Sequence, residues 1–422
     1  MGHRKSQVFL NINFALLVAT ISSFYFCRYV FMPIAILFLL LAVAENNWKE
    51  RFLLLKERGW LGFAAVMLLF YLMYMAGTLY SENVGPAFSE WEYKIWLLVT
   101  PVALLPLLAR LSQRQKNLLL TCFVLSVELV AAICLVRSAI RFAITDNLSV
   151  FFYTNAGNLP FNSFDHPSYF AMYETVCLVI CIEFLRKKDA LMENKWLRSL
   201  FIAAFAVFPL HLFLLQSKMG ILIFCILLLF YVIFLLNARS RRPLLTAIIL
   251  LVTVGAIALG AMHLNNRVTM SKQLYEQADK SNPAESTSMR IALWECGWEV
   301  YREHWAFGVG TGDVQQALHE KELEHGYTYL SQYDHKCHNQ YLQNMVASGI
   351  PGLLVLLAFV GCPLVIAWRQ KDLLTLTVVF IIGCNMLADC VLQFYPGSTF
   401  SPIFLALCLS RRETTPCGES WV

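Results

Sequence analysis

Apolar positions along this chain fall in long blocks rather than in short alternating runs. A hydrocarbon core about 30 Å thick asks for roughly 20 apolar residues at about 1.5 Å per residue. About twelve blocks meet or approach that length, at 8–26, 29–44, 59–80, 93–109, 117–137, 167–185, 199–215, 219–237, 244–263, 350–367, 373–393 and 400–410. The pattern predicts an all-α integral membrane protein with about twelve transmembrane helices. Polar positions gather in two segments longer than a connection needs. One is 138–166, ending in Asn162-Ser163-Phe164-Asp165-His166, and the other is 264–349. Three parts follow: transmembrane helices 1–9 over 1–263, a large loop over 264–349, and helices 10–12 with a tail over 350–422. Inside the loop, Ile291, Trp294, Trp298 and Tyr301 recur at helical spacing, which predicts an amphipathic helix over 288–305.

Composition agrees with the blocks. Hydrophobic residues make up 58% of 422 positions and charged residues 14%, too little charge for a wholly water-facing surface. Most cysteines lie inside apolar blocks, where they act as small hydrophobes rather than as a disulfide framework. Whether Cys296 and Cys337, both in the loop, pair with each other stays open. The run after Arg4 and Lys5 lacks a small-residue cleavage site and is followed at once by a second apolar run, so it reads as the first membrane helix.

Charge supplies orientation. With the N-terminus in the cytoplasm, Arg4/Lys5, Lys49/Arg51/Lys56/Arg58, Arg110/Arg114/Lys116, Arg186/Lys187/Lys188/Lys195/Arg198, Arg239/Arg241/Arg242, Arg369/Lys371 and Arg411/Arg412 all fall inside. The outer connections keep only a scatter, namely Arg28, Lys94, Arg137, Arg141 and Lys218. This alternation is the positive-inside pattern, with both termini cytoplasmic and the large loop outside. It accounts for the net charge of +5 without a nucleic-acid partner.

Four strings carry candidate chemistry, each with two readings. Arg290 and Trp294 share one helix face at i, i+4. A guanidinium there grips phosphate bidentately, or it pairs with Glu285 or Glu295. The string Phe307-Gly308-Val309-Gly310-Thr311-Gly312-Asp313 looks like a phosphate loop but follows a helix rather than a strand, so glycines serving a tight turn explain it better. His338-Asn339-Gln340-Tyr341-Leu342-Gln343 runs into the tenth block. His338 is a general base for a hydroxyl, or the string is an interfacial helix start. Lys218, in the turn before the eighth block, faces an anionic group or snorkels to headgroups. His319, His325, His335, His338 and Cys337 are of metal-ligand type, but their spacing fits no compact zinc motif.

Together, Arg290-x-x-x-Trp294, His304 to Gly312, His338 to Gln343 and Gly349-Ile350-Pro351-Gly352 resemble the O-antigen ligase and O-antigen polymerase superfamily over about 210–365. The resemblance implies a bacterial inner-membrane glycosyltransferase whose site faces the periplasm. It implies transfer of a glycan from undecaprenyl diphosphate to a hydroxyl on lipid A core or, in a polymerase, on a second lipid-linked glycan. It implies no cofactor and no metal. By the resemblance Arg290 binds the donor diphosphate and His338 positions or deprotonates the acceptor hydroxyl, with Trp294, Asn339 and His166 as further binding residues. The family usually has arginine where this chain has Lys218, which keeps the charge and loses the fork. A single displacement from a lipid diphosphate inverts the anomeric centre. A transporter and a non-catalytic scaffold are the rival classes. The few mid-block charges, Glu128, Glu174 and Asp389, speak against the former.

Overall fold

The computed structural model of the chain describes residues 2–24, 30–151, 167–237, 255 and 286–411. Among these the regular structure is helical, with no strand. The block at 244–263 falls outside the described residues apart from Gly255, and His166 falls outside them altogether.

Each of the other apolar blocks carries a helix. Among the described residues, five are long and apolar enough to cross a membrane: α4 (Leu61–Thr78), α8 (Gln113–Thr145), α9 (Pro167–Lys187), α10 (Lys195–Leu215) and α14 (Gln340–Arg369). Two bent pairs raise the number to seven. In the first, α2 (Phe31–Glu45) meets α3 (Trp48–Glu57) at 106°, and in the second, α5 (Val84–Tyr93) meets the run Trp96–Arg110 at 46°. That run comprises α6 (Trp96–Val99), a π-helical turn at Thr100–Leu104 and α7 (Leu105–Arg110). Helices α1 (Gly2–Ser22), α11 (Lys218–Asn237) and α15 (Leu373–Ala388) carry shorter apolar stretches, and α16 (Tyr395–Ser410) is 16 residues long. Among the described residues five to seven of the twelve predicted spans thus meet that length and composition; the apolar helical stretches of the blocks at 8–26, 219–237, 373–393 and 400–410 are shorter, and the block at 244–263 lies outside the described residues apart from Gly255. Asn46, left-handed at φ 53°, ends α2 inside polar sequence, and Pro101 and Pro106 accompany the π-helical break.

Helix α9 is the axis of the bundle, with 89% of its apolar window buried against 28% for α14. Tyr173 on α9 joins Phe24, Phe123, Phe400 and Phe404 in one aromatic cluster, with ring centroids 4.2 Å apart at Phe400–Phe404 and 4.4 Å at Phe123–Phe404. Leu40, Leu69, Leu72, Leu129, Ile140 and Leu354 point outward, the pattern of helices bathed in lipid. Several buried charges are paired, which offsets the cost of removing them from water. Glu45 joins Arg51 and Arg110 at the α2–α3 corner, Glu183 meets Arg186 and Lys187, and Glu174 lies 2.6 Å from His211.

Candidate functional site

The loop helix is present as α12 (Ser286–Glu303). Its orientation differs from what the aromatic spacing suggests. Ala292, Leu293, Cys296 and Val300 are buried, whereas Ile291, Trp294 and Trp298 are exposed. The small face is inward because α12 lies close upon α14: a Cβ on Gly297 would stand 3.1 Å from Leu342 and 3.2 Å from the Cys337 sulfur. Trp294 sits on the open side of α12, 38% exposed, whereas Arg290 is half-buried, with its Nε enclosed. Cys296 and Cys337 are free thiols in the same small core, and burial pushes both up to about 12. Helix α13 (Val314–Glu324) closes the other side, tied to α12 by Lys321–Glu303 at 2.8 Å and His325–Glu299 at 3.0 Å.

The glycine-rich string is a clasp. Gly308 and Gly310 take φ of 72° and 102°, open to glycine at little cost. One edge lies along a break in α14, where Gly349 has φ 61°. The Val309 and Gly310 amides donate to the Val346 and Ala347 carbonyls at 2.9 and 3.1 Å, and the Ile350 amide donates to the Trp305 carbonyl at 3.0 Å. Thus the string satisfies carbonyls that the break and Pro351 release. The other edge grips the end of α4. The Thr311 hydroxyl donates to the Tyr74 carbonyl at 2.8 Å, and the Asp313 carboxylate accepts from the Glu82 and Asn83 amides, both at 2.8 Å. A Cβ on Gly312 would stand 1.8 Å from the Asn83 carbonyl oxygen.

Between clasp and bundle lies His338. Its neighbours fix it on both sides: the Cys337 amide donates to Gln343 Oε1 at 3.0 Å, and Asn339 Oδ1 caps α14 by accepting from the Tyr341 and Leu342 amides at 3.0 and 3.1 Å. Asn339, a candidate ligand by resemblance, thus spends its carbonyl oxygen on the cap. His338 itself is held at φ 46°, uncommon for a residue with a Cβ. Its Nδ1 lies 3.5 Å from Asp389 Oδ1. Asp389 is not inside a span, as the apolar block to 393 suggested. Helix α15 stops at Ala388, and Asp389 is its C-cap. His335 lies close enough to be depressed by burial first and by His338 second.

A second group of charges lies beside the first. Lys94, fully buried, is ion-paired to Glu90, donates to Gln393 Oε1 at 3.0 Å and stands 4.2 Å over the Tyr74 ring. Glu90 Oε1 also accepts from Lys336 at 3.2 Å. Burial works against the charge on Lys336, but the Glu90 carboxylate outweighs it and holds the ammonium above its ordinary value. Tyr74 donates to Asn344 at 3.2 Å, and Gln340 to the same oxygen at 2.7 Å. Sequence reasoning left Glu90 out and counted Lys94 among scattered outer cations. Only its burial beside a carboxylate marks it, and burial is not visible in a single polar letter.

Lys218 is the first residue of α11, where the Ser217 hydroxyl accepts from the Gly220 amide at 3.2 Å. A cation at a helix N-terminus adds to the positive end of the dipole. A Cβ on Gly220 would stand 2.4 Å from Ala171, which sets this helix start against α9, the helix that follows the 138–166 segment. Lys218 and Arg290 belong to elements separate from the His338–Asp389 pair.

Comparison with known proteins adds one match. No curated protein matches the chain. Residues 201–357, from within α10 to within α14 and including Lys218, Arg290, the clasp and His338, match the family model described as O-antigen ligase. Over that stretch the chain is similar to the O-antigen ligase family, as the sequence motifs led us to expect.

Proposed function

We propose that this protein is a membrane glycosyltransferase that moves a glycan from undecaprenyl diphosphate to a hydroxyl on the extracytoplasmic face, with lipid A core as acceptor. The observation that carries the reading is the placing of His338 against Asp389 within the stretch that resembles O-antigen ligases. At 3.5 Å the two are a charge pair rather than a hydrogen bond. Their attraction therefore grows as the ring takes up a proton, which is what a general base does as the acceptor hydroxyl attacks. With Nδ1 turned to Asp389, Nε2 is the nitrogen left for that hydroxyl.

Lipid diphosphate is already a competent leaving group. What remains for the protein is to hold it and to neutralise the charge that develops on departure. Arg290 and Lys218 are assigned this task, Arg290 through its planar fork and Lys218 with the positive end of α11 behind it. Direct displacement inverts the anomeric carbon, and the chemistry assigned to these residues is complete without a metal. Twelve spans, cytoplasmic termini and an outer 264–349 loop form the topology that goes with this reading. A polymerase acting on a second lipid-linked glycan, or a transferase to protein hydroxyls, uses the same donor half of the site and differs only in the acceptor.

The test is reconstitution. Purified protein with undecaprenyl-diphosphate glycan and lipid A core should yield the joined product. His338→Ala should slow transfer by about 10² to 10⁴ while leaving donor binding near wild type. Transfer at the wild-type rate by His338→Ala at equal protein level would remove the base from His338. Product formed only with a second lipid-linked glycan would select the polymerase.

A further inference from the structure

The Glu90–Lys94–Lys336 group has more positive charge than its own carboxylate balances. Glu90 divides its two oxygens, Oε2 to Lys94 and Oε1 to Lys336. One carboxylate offsets one of two ammonium groups. Lys94 is enclosed, with its remaining contacts made by a neutral carboxamide and an aromatic ring, and its side chain is 0% exposed. The excess charge is therefore presented by Lys336, whose side chain keeps 19% of its surface, close to the 20% of His338 two residues on.

Resting on the transferase reading above, we infer that Lys336 is a further substrate-binding residue, a cation held by Glu90 that receives a phosphate oxygen next to His338. The approach is from outside. The cavity that Lys336 lines with Glu90, Gln343 and Gln393 measures about 10 Å³, room for one water molecule and not for a phosphate group. The physical requirement is the same one that Arg290 and Lys218 answer. A diphosphate carries several anionic oxygens, and a cation fixed in place before the reaction stabilises the departing charge without reorganisation. Glu90 and Lys94 supply that fixity. Glu90 restrains the Lys336 side chain, and Lys94 keeps Glu90 from cancelling it. Lys336 is a binding residue, while Glu90 and Lys94 are positioning residues.

Phosphate oxygens near a membrane come from the donor lipid or from bilayer headgroups, and the experiment separates them. Full-length protein in detergent is titrated with undecaprenyl diphosphate that carries no glycan, with phosphatidylglycerol as competitor. Lys336→Gln should weaken binding about ten- to a hundredfold, the range of one charge-assisted hydrogen bond, and should flatten its salt dependence. Lys336→Arg should stay near wild type, which a fold-only role in neutralising Glu90 would not separate from loss of the site unless binding and melting temperature are read together. Unchanged affinity in Lys336→Gln would confine Lys336 to neutralising Glu90 and overturn the inference. Equal competition by phosphatidylglycerol would overturn it as well, by making the occupant a headgroup. Lys336-dependent binding in a protein that transfers no glycan would leave this inference standing and sink the transferase reading alone.

Discussion

His338 Nδ1 and Asp389 Oδ1 stand 3.5 Å apart, joining the residue before the α14 cap to the residue that ends α15. On the role proposed for His338, the carboxylate lies beside Nδ1, leaves Nε2 for the acceptor hydroxyl, and would orient the base. Asp389→Asn keeps shape and removes charge. It should lower kcat by part of the about 10² to 10⁴ that a general base contributes and leave the donor KM unchanged. A donor KM that rises while kcat holds would place Asp389 in binding instead.

The two cations on α12 and α11 should differ in what they tolerate. Arg290→Lys should be severely impaired, since a point ammonium cannot reproduce a two-bond grip. Lys218→Arg should retain activity, and Lys218→Ala should lose much of it. Donor titrations on the purified variants read both. Full activity in Lys218→Ala would return that lysine to snorkelling, and full activity in Arg290→Lys would exclude the fork.

Orientation is open to a direct check. Reporters fused after Leu323 should read as extracytoplasmic and those after Arg241 as cytoplasmic, as the distribution of Lys and Arg predicts. A cytoplasmic signal at Leu323 would overturn the placement of the loop and with it each role assigned to His338, Arg290 and Lys336.

The clasp should behave as structure. Asp313→Ala removes three hydrogen bonds, to the Glu82 and Asn83 amides and to Asn83 Nδ2, and should cost about 1–3 kcal/mol. Gly312→Ala forces the α4–α5 turn to move and should cost about the same. Lower melting temperature and faster proteolysis within the loop are the expected signs. A variant as stable as wild type but unable to bind donor would reinstate a phosphate loop.

Loop stability should depend on pH through Glu322. Burial alone raises its carboxyl from 4.5 to about 7, so the folded loop favours the protonated form. The contribution is fully present below pH 4.5 and is lost as pH rises through about 7. Melting temperature should fall across that window, and Glu322→Gln should flatten the fall and raise stability at pH 7.5. A Glu322→Gln profile that superimposes on wild type would show that the carboxyl is solvated.

How much of this was legible beforehand follows from which interactions are local. Helix positions were, because an apolar block or a 3.6-residue period is a local signal, and the loop helix was read at 288–305 against the observed Ser286–Glu303. The turn reading of Gly308 and Gly310 was legible for the same reason, φ being a property of one residue. The exposed side of α12 was not. Its aromatic stripe is the stronger hydrophobic signal, yet close approach to α14 selects the smaller face with Gly297. Asp389 was misplaced because hydropathy averages over a turn. Glu90 and Lys94 stand at i, i+4, a local pairing, but they were missed because the residues that make the pair part of a buried group, Lys336 and Gln393, lie far along the chain.

The clasp also bears on how this chain can be cut. Residues 201–357 invite expression as a module, but Thr311, Gly312 and Asp313 find their partners at Tyr74, Ser81, Glu82 and Asn83. Truncation at 201 would strip the loop of its floor and leave the Asp313 carboxylate and the Thr311 hydroxyl facing nothing built to receive them. Split versions of the protein should therefore regain activity only when the N-terminal fragment extends past Tyr93, so that it brings the whole of α5 with it.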